Sequence, residues 1–318
     1  MAAAELPTDT APPQPSTGSG EAWQGEVQLQ FERLGERTRH QGGASSPLKL
    51  QRAFAQSSGH CELPILHTAG GLVGGDQLRI SASLAPGSRA LLTSVAAQKV
   101  YGTVARSQRH PEGSWARQEL AFQLAEGSDL EWLPQELVLY ADGLFEQTAR
   151  VELAAGASLL AGEVVRLGRT AAGERLRAGC WRSALEIRRH GGSAPRWELV
   201  DRLALGADAL GDDHGLAQQP VFGSLVWVAP EPLAAGALEQ LLADCRAERR
   251  GLEGRMACGA LEQGIVARYL GDSSQAARHW FTRIWRRTRA ERGLAAPELP
   301  RVWPFQEQPF AEPPAGSP

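Results

Sequence analysis

The sequence of 318 residues contains little lysine and no long apolar segment. Only Lys49 and Lys99 are lysines among its 33 basic residues. Each is informative, because a lysine ammonium is a compact, titratable charge that differs from an arginine guanidinium. The longest strongly apolar run, Leu225 to Ala229, is far shorter than the roughly 20 residues that cross a bilayer as a helix. The sequence therefore predicts no membrane-spanning role.

The chain also lacks a strong net charge, a secretory signal and paired cysteines. Its 33 basic and 36 acidic side chains give a net charge of -3, too weak a field to attract nucleic acid without a local basic patch. The N-terminus carries Glu5 and Asp9 and has no apolar core, so it does not resemble a signal peptide. The four cysteines form no CxxC pair. We expect a cytoplasmic protein with reduced thiols.

The sequence is rich in period-two alternation, which is typical of half-buried strands. The alternating positions are Val27, Leu29 and Phe31; Leu78, Ile80, Ala82 and Leu84; Leu120, Phe122 and Leu124; Ala149, Val151 and Leu153; Trp181, Ser183, Leu185 and Ile187. Turn-forming pairs such as Pro86-Gly87 and Ala155-Gly156 separate these segments. The spacing predicts a mainly β fold, as a sandwich, barrel or solenoid of antiparallel strands. Strands and helices do not alternate, which argues against Rossmann and TIM folds.

We expect a single large β-rich domain, solenoid-like or sandwich-like, over residues 21–303, because no linker and no repeat of fixed period divides it. Residues 1–20 and 304–318 are rich in Pro, Ala, Ser and Gly and contain few large apolar side chains. Both tails are therefore predicted to be disordered. Trp132, Trp181 and Trp197 lie within amphipathic strands, and we predict that all three are buried.

Helical periodicity occurs only in two segments of the C-terminal half. The first runs from Leu233 to a stop at Gly251. The second follows the N-cap candidates Asp272 and Ser273 and ends in several arginines, which favour the negative end of the helix dipole. We expect two α-helices, and the aromatic face of the second must be covered by the protein's own sheets or by a partner. That face contains Ala277, Trp280, Phe281, Ile284 and Trp285.

Four glycines precede Asp76 within the segment Gly70 to Asp76. Their spacing is similar to that of a phosphate-binding loop, but such a loop requires Lys and then Ser or Thr where this chain has Asp76 and Gln77. A carboxylate at that point repels phosphate. Two interpretations remain, a tight bend capped by Asp76 and a buried functional acid.

Two further clusters place polar residues among apolar ones. Lys99 and Tyr101 share one face of an extended segment, either as a buried polar network or as a surface lysine beside a half-buried tyrosine. In the segment from Glu131 to Glu136, acids and Gln135 alternate with Trp, Leu and Pro. This pattern is not that of a solvated face.

Two more groupings have simple structural explanations. The segment from Glu163 to Glu174 mixes acids, Arg169 and glycines, which a glycine-rich turn with a surface Arg–Glu ion pair worth at most about 1 kcal/mol would explain. His60, Cys61 and His67 form a local His and Cys group, but their spacing matches neither HExxH nor CxxC. They are a weak candidate for a transition-metal site. No GxSxG nucleophile motif occurs.

Taken in order, these motifs resemble one family, the urease accessory proteins UreD, also called UreH. The resemblance covers roughly residues 23–303, and its matching residues are Pro47-Leu48, Cys61, Gly70 to Asp76, Lys99, Tyr101, Glu131 to Glu136, Leu167-Gly168-Arg169, Gly173-Glu174, Trp285 and Pro300 to Trp303. It implies a β-rich fold with two helices and a scaffold without catalytic activity. Such a scaffold links the accessory protein UreF and the GTPase UreG to apo-urease during nickel insertion.

The resemblance also implies an internal polar channel for transient nickel(II) and no tightly bound cofactor. Carboxylates and water bind nickel weakly, as transit requires, whereas a cage of His and thiolate would trap the ion. By motif, the acids nominated as channel lining are Asp76, Glu131, Glu136 and Glu174. The polar residues nominated to support them are Lys99, Tyr101, Gln135 and Arg169.

On the residues alone, two other classes of protein stay open. A metal-dependent hydrolase or isomerase on a β barrel would use the same buried acids as general acid and base. A carbohydrate-binding sandwich would use tryptophans as stacking platforms, and these would be exposed in a row. The sequence contains nine tryptophans.

Overall fold

The computed structural model describes residues 22–108, 110–192, 194–304 and 306–311, so the N-terminal tail expected over residues 1–20 and most of the C-terminal tail lie outside the described residues. The strands are β1 (Gln24–Leu34), β2 (Arg37–Ala44), β3 (Leu48–Leu50), β4 (Phe54–Ala55), β5 (Cys61–His67), β6 (Gln77–Leu84), β7 (Arg89–Ser94), β8 (Gln98–Val100), β9 (Ala116–Leu124), β10 (Asp129–Trp132), β11 (Leu137–Leu139), β12 (Leu144–Leu153), β13 (Ser158–Leu167), β14 (Cys180–Arg189), β15 (Arg196–Gly206), β16 (Val221–Val228), β17 (Arg255–Leu261) and β18 (Gly264–Gly271). The helices are α1 (Ala207–Gly211), α2 (Ala235–Ala247) and α3 (Ser274–Glu291), with a 3-10 turn at Thr170–Ala172. The predicted mainly β fold class is confirmed.

The strands form two sheets that pack face to face. Sheet A has the order β15-β14-β12-β9-β6-β1-β2, and sheet B has the order β17-β18-β16-β13-β10-β7-β5-β3. The inward side chains of both sheets form one apolar core, which includes Val27, Phe122 and Leu130. Alternation along each strand produces this arrangement, because every second side chain points to the same face.

The expectation of antiparallel strands is wrong for the centre of the molecule. Strands β6, β9, β12 and β14 pair in parallel in sheet A, and β5, β7, β10 and β13 pair in parallel in sheet B. Between β5 and β14 the chain passes from one sheet to the other after most strands, so successive strands of one sheet run in the same direction there. Period-two alternation reports which face is buried but carries no information on strand direction.

Tight turns join the sheets at one end and stack on one another. Gly87 and Gly127 have φ values of 67° and 62°, which favour glycine. The amide of Gly87 donates to the Glu126 carbonyl at 2.9 Å, and the amide of Gly127 donates to the Ala155 carbonyl at 3.1 Å. Each turn therefore hydrogen-bonds to the next, which fixes the register of the strands that follow.

Both predicted helices are present, and the short α1 is an additional one. Helix α2 begins at Ala235, and α3 begins after Ser273, whose side chain accepts a hydrogen bond from the Ala276 amide at 3.1 Å. Five residues are too few to give α1 a recognisable helical period. Helices α2 and α3 pack on the outer face of sheet B, which makes the molecule a three-layer structure.

The protein's own sheet and helix α2 cover the aromatic face of α3. Trp280, Ile284 and Trp285 are fully buried, and the Trp280 indole donates to the Cys245 carbonyl at 2.9 Å. Of the three tryptophans predicted to be buried, Trp132 and Trp181 are buried, but Trp197 is 52% exposed. Trp197 lies on β15, the edge strand of sheet A, where an outward side chain has no neighbouring strand to cover it. Within the described ranges, no helix has the length and apolarity needed to cross a membrane.

Candidate functional site

A cavity of about 340 Å³ lies between the two sheets. Most of its wall is apolar, with Trp132 and Trp181 among the lining side chains. Near the surface it is lined by Gly70, Gly71 and Lys99, and in the interior by the carboxyl group of Glu163. The cavity thus joins the glycine-rich loop identified in the sequence to a buried acid.

A ladder of amide side chains crosses the cavity. The Gln98 side chain donates to Gln118 at 3.4 Å, Gln118 donates to Gln147 at 2.9 Å, and Gln147 donates to Glu163 at 3.1 Å. The parallel register explains the order, because Gln147 of β12 lies directly beside Gln118 of β9 and Ser183 of β14. The Ser183 hydroxyl completes the ladder by donating to Glu163 at 3.2 Å.

Glu163 is the member of the ladder that can change charge. Its side chain is partly accessible, and it lines the cavity. Burial raises the pKa of Glu163 to about 7, although hydrogen bonds from Ser183 and Gln147 and the charge of Arg268 lower it, while Asp201 raises it further. The carboxyl group therefore changes charge close to neutral pH.

Two other lining residues have buried polar atoms without a hydrogen-bond partner among the described residues, namely the Nε2 atoms of His67 and Gln135. Burial lowers the pKa of His67, and the charge of Asp76 opposes that shift. A neutral imidazole and a carboxamide offer donors or acceptors to a polar occupant. At these two positions the otherwise largely apolar cavity offers partners to water or to a hydrated ion.

Asp76 lies beside the glycine loop and does not line this cavity. It is 1% exposed, and its two carboxylate oxygens accept hydrogen bonds from the amides of Trp23 and Val73, both at 2.9 Å. The carboxylate thereby fixes the loop to the start of β1. Gly71, with φ 155°, permits the same loop to approach Tyr101, because a Cβ there would lie 2.6 Å from the Tyr101 ring.

The predicted residues Tyr101, Arg169 and Glu174 form a cluster at the surface. The Tyr101 ring meets the Tyr140 ring edge-on at 5.0 Å, and the Arg169 guanidinium lies 4.4 Å from the Tyr140 ring centre. Arg169 Nε donates to Glu174 at 3.0 Å, and this hydrogen bond is the main reason that the pKa of Glu174 is lowered. Lys99 is exposed at the edge of the cavity.

Glu131 belongs to a second buried group, here named the α3 ion cluster. Arg289 Nε donates to Glu131 at 2.9 Å, and Arg292 pairs with both Glu131 and Asp129. His60 Nε2 lies 3.0 Å from an Asp129 oxygen. The members of the cluster are His60, Asp129, Glu131, Arg289 and Arg292.

The charges of the α3 ion cluster balance within the protein. Burial alone raises the pKa of Asp129 and Glu131, but the neighbouring cations outweigh it and hold both pKa values below their ordinary range. His60, Asp129 and Glu131 have ligand atoms within 4.8 Å of one another, as a metal site requires. The two guanidiniums already donate to these carboxylates, so the cluster carries its own cations and does not fit a metal ion.

His60, Cys61 and His67 do not converge on one site. His60 faces Asp129, while the Cys61 sulfur lies 3.9 Å from His40 Nδ1 and His67 lines the cavity. Burial raises the pKa of Cys61 to about 11, which keeps the thiol protonated and a poor metal ligand. Glu136 is also not free to bind a metal ion, because it pairs with Arg278 of α3.

The fold and the site define a class of protein: two β sheets, one of them covered by two long helices, enclosing a largely apolar cavity lined by one acid that lacks a directly paired cation in the part of the chain that the structure describes. A family model described as UreD urease accessory protein matches residues 24–304. Proteins named urease accessory protein UreD from Parasynechococcus marenigrum (strain WH8102) and Synechococcus sp. (strain WH7805) are 60% and 62% identical, over 91% of this chain and 93% of their own length. One from Prochlorococcus marinus (strain MIT 9303) is 56% identical over 90% of this chain and 98% of its own length. The chain belongs to the UreD family of urease accessory proteins, which confirms the resemblance found in the sequence.

Proposed function

We propose that this urease accessory protein is a cytoplasmic scaffold without catalytic turnover that supports nickel insertion into apo-urease. Its partners in this role are a UreF-like protein, a UreG-like GTPase and apo-urease itself. Family membership supports the connection with urease. The supporting feature of this chain is its interior cavity, with Glu163 exposed to it.

Glu163 borders three cavities, and this is the observation that carries the proposal. Besides the 340 Å³ cavity, it lines a cavity of about 30 Å³ beneath α3 and another of about 30 Å³ beside Ser224. Pro134 and Val164 line the first two of these together with Glu163. An ion at Glu163 is therefore adjacent to both the outer opening and the helical side of the molecule.

The chemistry around Glu163 suits transient nickel(II). A carboxylate, amide oxygens and a neutral imidazole offer hard or borderline ligands, and no cysteine is among the residues that line the 340 Å³ cavity. Water fills the remaining coordination positions of a hydrated ion. Such an ion is released more readily than one held by thiolates. We therefore propose that Glu163, which the family motifs did not nominate, is the interior stopping point of the ion.

The test compares nickel per urease active site after activation in a strain that carries variants of this chain. Glu163→Leu removes the carboxylate and is expected to lower nickel loading, whereas Glu119→Gln, on the exposed face of sheet A, is the control. A melting temperature for each variant separates loss of function from loss of folding. Wild-type loading by folded Glu163→Leu protein would rule out the transit role, and wild-type loading after deletion of the whole gene would rule out the maturation role.

The competing hydrolase or isomerase needs a buried acid that is free to exchange protons. Asp76 is bound by backbone amides, Glu131 by two arginines and Glu136 by a third. These contacts leave those three acids no free proton to exchange, so an enzyme of this kind would have to use Glu163. Membership of an accessory-protein family is what favours the scaffold. Turnover of an ester or amide substrate by the purified chain would reverse that preference.

A further inference from the structure

Arg278 of α3 lies where the interior meets a further cavity. The 30 Å³ cavity beneath α3 is lined by both Glu163 and Arg278. An outer cavity of about 230 Å³ is also lined by Arg278, and the two cavities share Thr282 and Trp303. The Arg278 side chain therefore lies at the junction between the inner cavities and the outer one.

Two carboxylates from distant parts of the chain hold Arg278. One terminal nitrogen donates to Glu136, which follows β10, and the other donates to Glu307 in the C-terminal segment. The three side chains are between 12% and 18% exposed. Arg278 Nε is buried and has no partner within the described part of the chain. The guanidinium is therefore held through its two terminal nitrogens, whereas Nε does not help to hold it.

The segment of residues 306–311, here named the strap, lies against α3. Glu307 pairs with Arg278 and lies 3.7 Å from His279 Nε2. Arg283 Nε donates to the Pro309 carbonyl at 2.6 Å, and the Arg286 guanidinium lies 4.8 Å from the Phe310 ring centre. All of these contacts are made by side chains of one helix. Lifting the strap would break them without disturbing either sheet.

The junction is the most confined point between the inner and outer cavities. The cavities on either side have volumes of about 340 and 230 Å³, whereas the one between them has about 30 Å³. The Arg278 side chain lines this smallest cavity and obstructs it by its bulk, while its charge is balanced by two carboxylates.

We propose that Arg278 is a cation gate between the inner and outer cavities, held closed by Glu136 and Glu307. The proposal rests on the transit role of the cavity. A partner that lifts the strap removes Glu307 from Arg278. The guanidinium is then held by Glu136 alone, through one terminal nitrogen, and is free to turn out of the junction. In this view the strap couples partner binding to passage of the ion.

A thiol at the junction tests the gate directly. Thr282→Cys places a sulfur on the wall shared by the two cavities, with Cys180→Ser in every variant because Cys180 is the half-buried native thiol. The probes are a trimethylammonium methanethiosulfonate and a neutral methanethiosulfonate of similar size. We expect Arg278→Met to raise the ratio of cationic to neutral reaction rates about tenfold, because the passage is opened and Glu136 and Glu307 face it without their counter-charge. Glu307→Gln should raise both rates.

Two controls keep the test decisive. Arg278→Lys retains the positive charge and should keep the ratio near that of the parent protein. Arg286→Met removes another arginine that touches the strap but lines neither cavity, so it should not change the ratio. An unchanged ratio in folded Arg278→Met protein overturns the gate. If Arg278→Met does not fold, unchanged rates in Glu307→Gln overturn it instead.

Nickel loading of urease separates failure of the gate from failure of transit. If Glu163→Leu lowers loading while Arg278→Met and Glu307→Gln change neither loading nor thiol reactivity, the gate is wrong and the transit role stands. If Glu163→Leu loads normally, transit is wrong. A raised cation ratio in Arg278→Met would then still identify the guanidinium as a barrier to cations.

Discussion

Two buried acidic regions of this protein differ in how their charge is balanced. In the α3 ion cluster, Glu131 and Asp129 face the guanidiniums of Arg289 and Arg292 at hydrogen-bonding distance. Glu163 accepts hydrogen bonds from an amide and a hydroxyl and has no guanidinium bound to it in the described structure. Burial disfavours the charge of all three carboxylates, yet the pKa falls in the first region and rises to about 7 in the second.

The difference distinguishes structural acids from a candidate functional acid. An acid whose cation is part of the chain has no unbalanced charge to offer an outside ion, and separating it from its partner destabilises the fold. An acid without such a partner is costly to ionise, and a cation that enters the cavity repays that cost. Three of the four acids nominated by motif, Glu131, Glu136 and Glu174, belong to the first kind.

The largest effect is expected from breaking the α3 ion cluster. Arg289→Met leaves Glu131 fully buried with only part of its counter-charge, and we expect a loss of about 3 to 5 kcal/mol of unfolding free energy. Urea denaturation at pH 7 measures it. The double variant Arg289→Met with Glu131→Gln should recover much of that loss. A single variant that loses under about 1 kcal/mol would contradict the structural role of the pair.

Removing Glu163, which has no paired cation within the described residues, is expected to stabilise the protein. The folded pKa of Glu163, about 7, lies above the ordinary value of 4.5, so the native state binds the extra proton between those values and stability falls as pH rises through them. Glu163→Gln should therefore stabilise the protein at pH 8 by at most about 3 kcal/mol, since cavity water screens part of the charge. Near pH 5 the gain should shrink to under about 1 kcal/mol. Melting curves at both pH values check the sign, and a gain independent of pH would contradict it.

Much of the fold could be predicted from the sequence, but the direction of its strands could not. Alternation located β6, β9, β12 and β14 because burial of one face has a direct sequence signature. The parallel stacking depends on the chain crossing between sheets. One available signal was the similarity of the turns Ala85 to Ser88 and Ala125 to Ser128, which stack by hydrogen bonds. Their neighbours recur at irregular intervals, so no fixed period revealed them.

The site was less accessible to sequence reasoning. Gln118, Gln147 and Ser183 are 29 and 36 residues apart, and only the parallel register brings them side by side. The acidic and glycine-rich motifs predicted a role for Asp76 and Glu131. The arginines that neutralise Glu131, Arg289 and Arg292, lie 158 and 161 residues further along the chain. Charge balance is a tertiary property, so local sequence cannot distinguish a paired acid from an unpaired one.

Asp76 differs from both Glu131 and Glu163, because backbone amides, not arginines, stabilise its buried carboxylate. Asp76→Ala leaves the amides of Trp23 and Val73 without their acceptor, and we expect a loss of about 1 to 3 kcal/mol. The measurements are melting temperature and nickel per urease active site. If Asp76 is a structural cap, activation should fall only as far as folding does. Reduced nickel loading by fully folded protein would restore its nomination as channel lining.

The smallest effect is expected at the surface. Arg169 is exposed, and its pair with Glu174 should contribute less than about 1 kcal/mol, because solvent screens the charges. Arg169→Ala also removes the contact with the Tyr140 ring, so Arg169→Lys is the matched variant. Thermal melts at low and high salt measure both. A loss above about 2 kcal/mol would place this pair with the buried cluster instead.

The long separation between the α3 ion cluster's acids and its arginines has a consequence for synthesis of the chain. The stacked strands from β6 to β14 connect neighbours in sequence and can pair as they leave the ribosome. Asp129 and Glu131 are complete long before Arg289 and Arg292 are made. Until then, two like charges share one strand without the guanidiniums that later neutralise them. If translation pauses before α3, the chain on the ribosome therefore has nearly complete sheets. Asp129 and Glu131 must then stay hydrated, because their arginines have not yet been made.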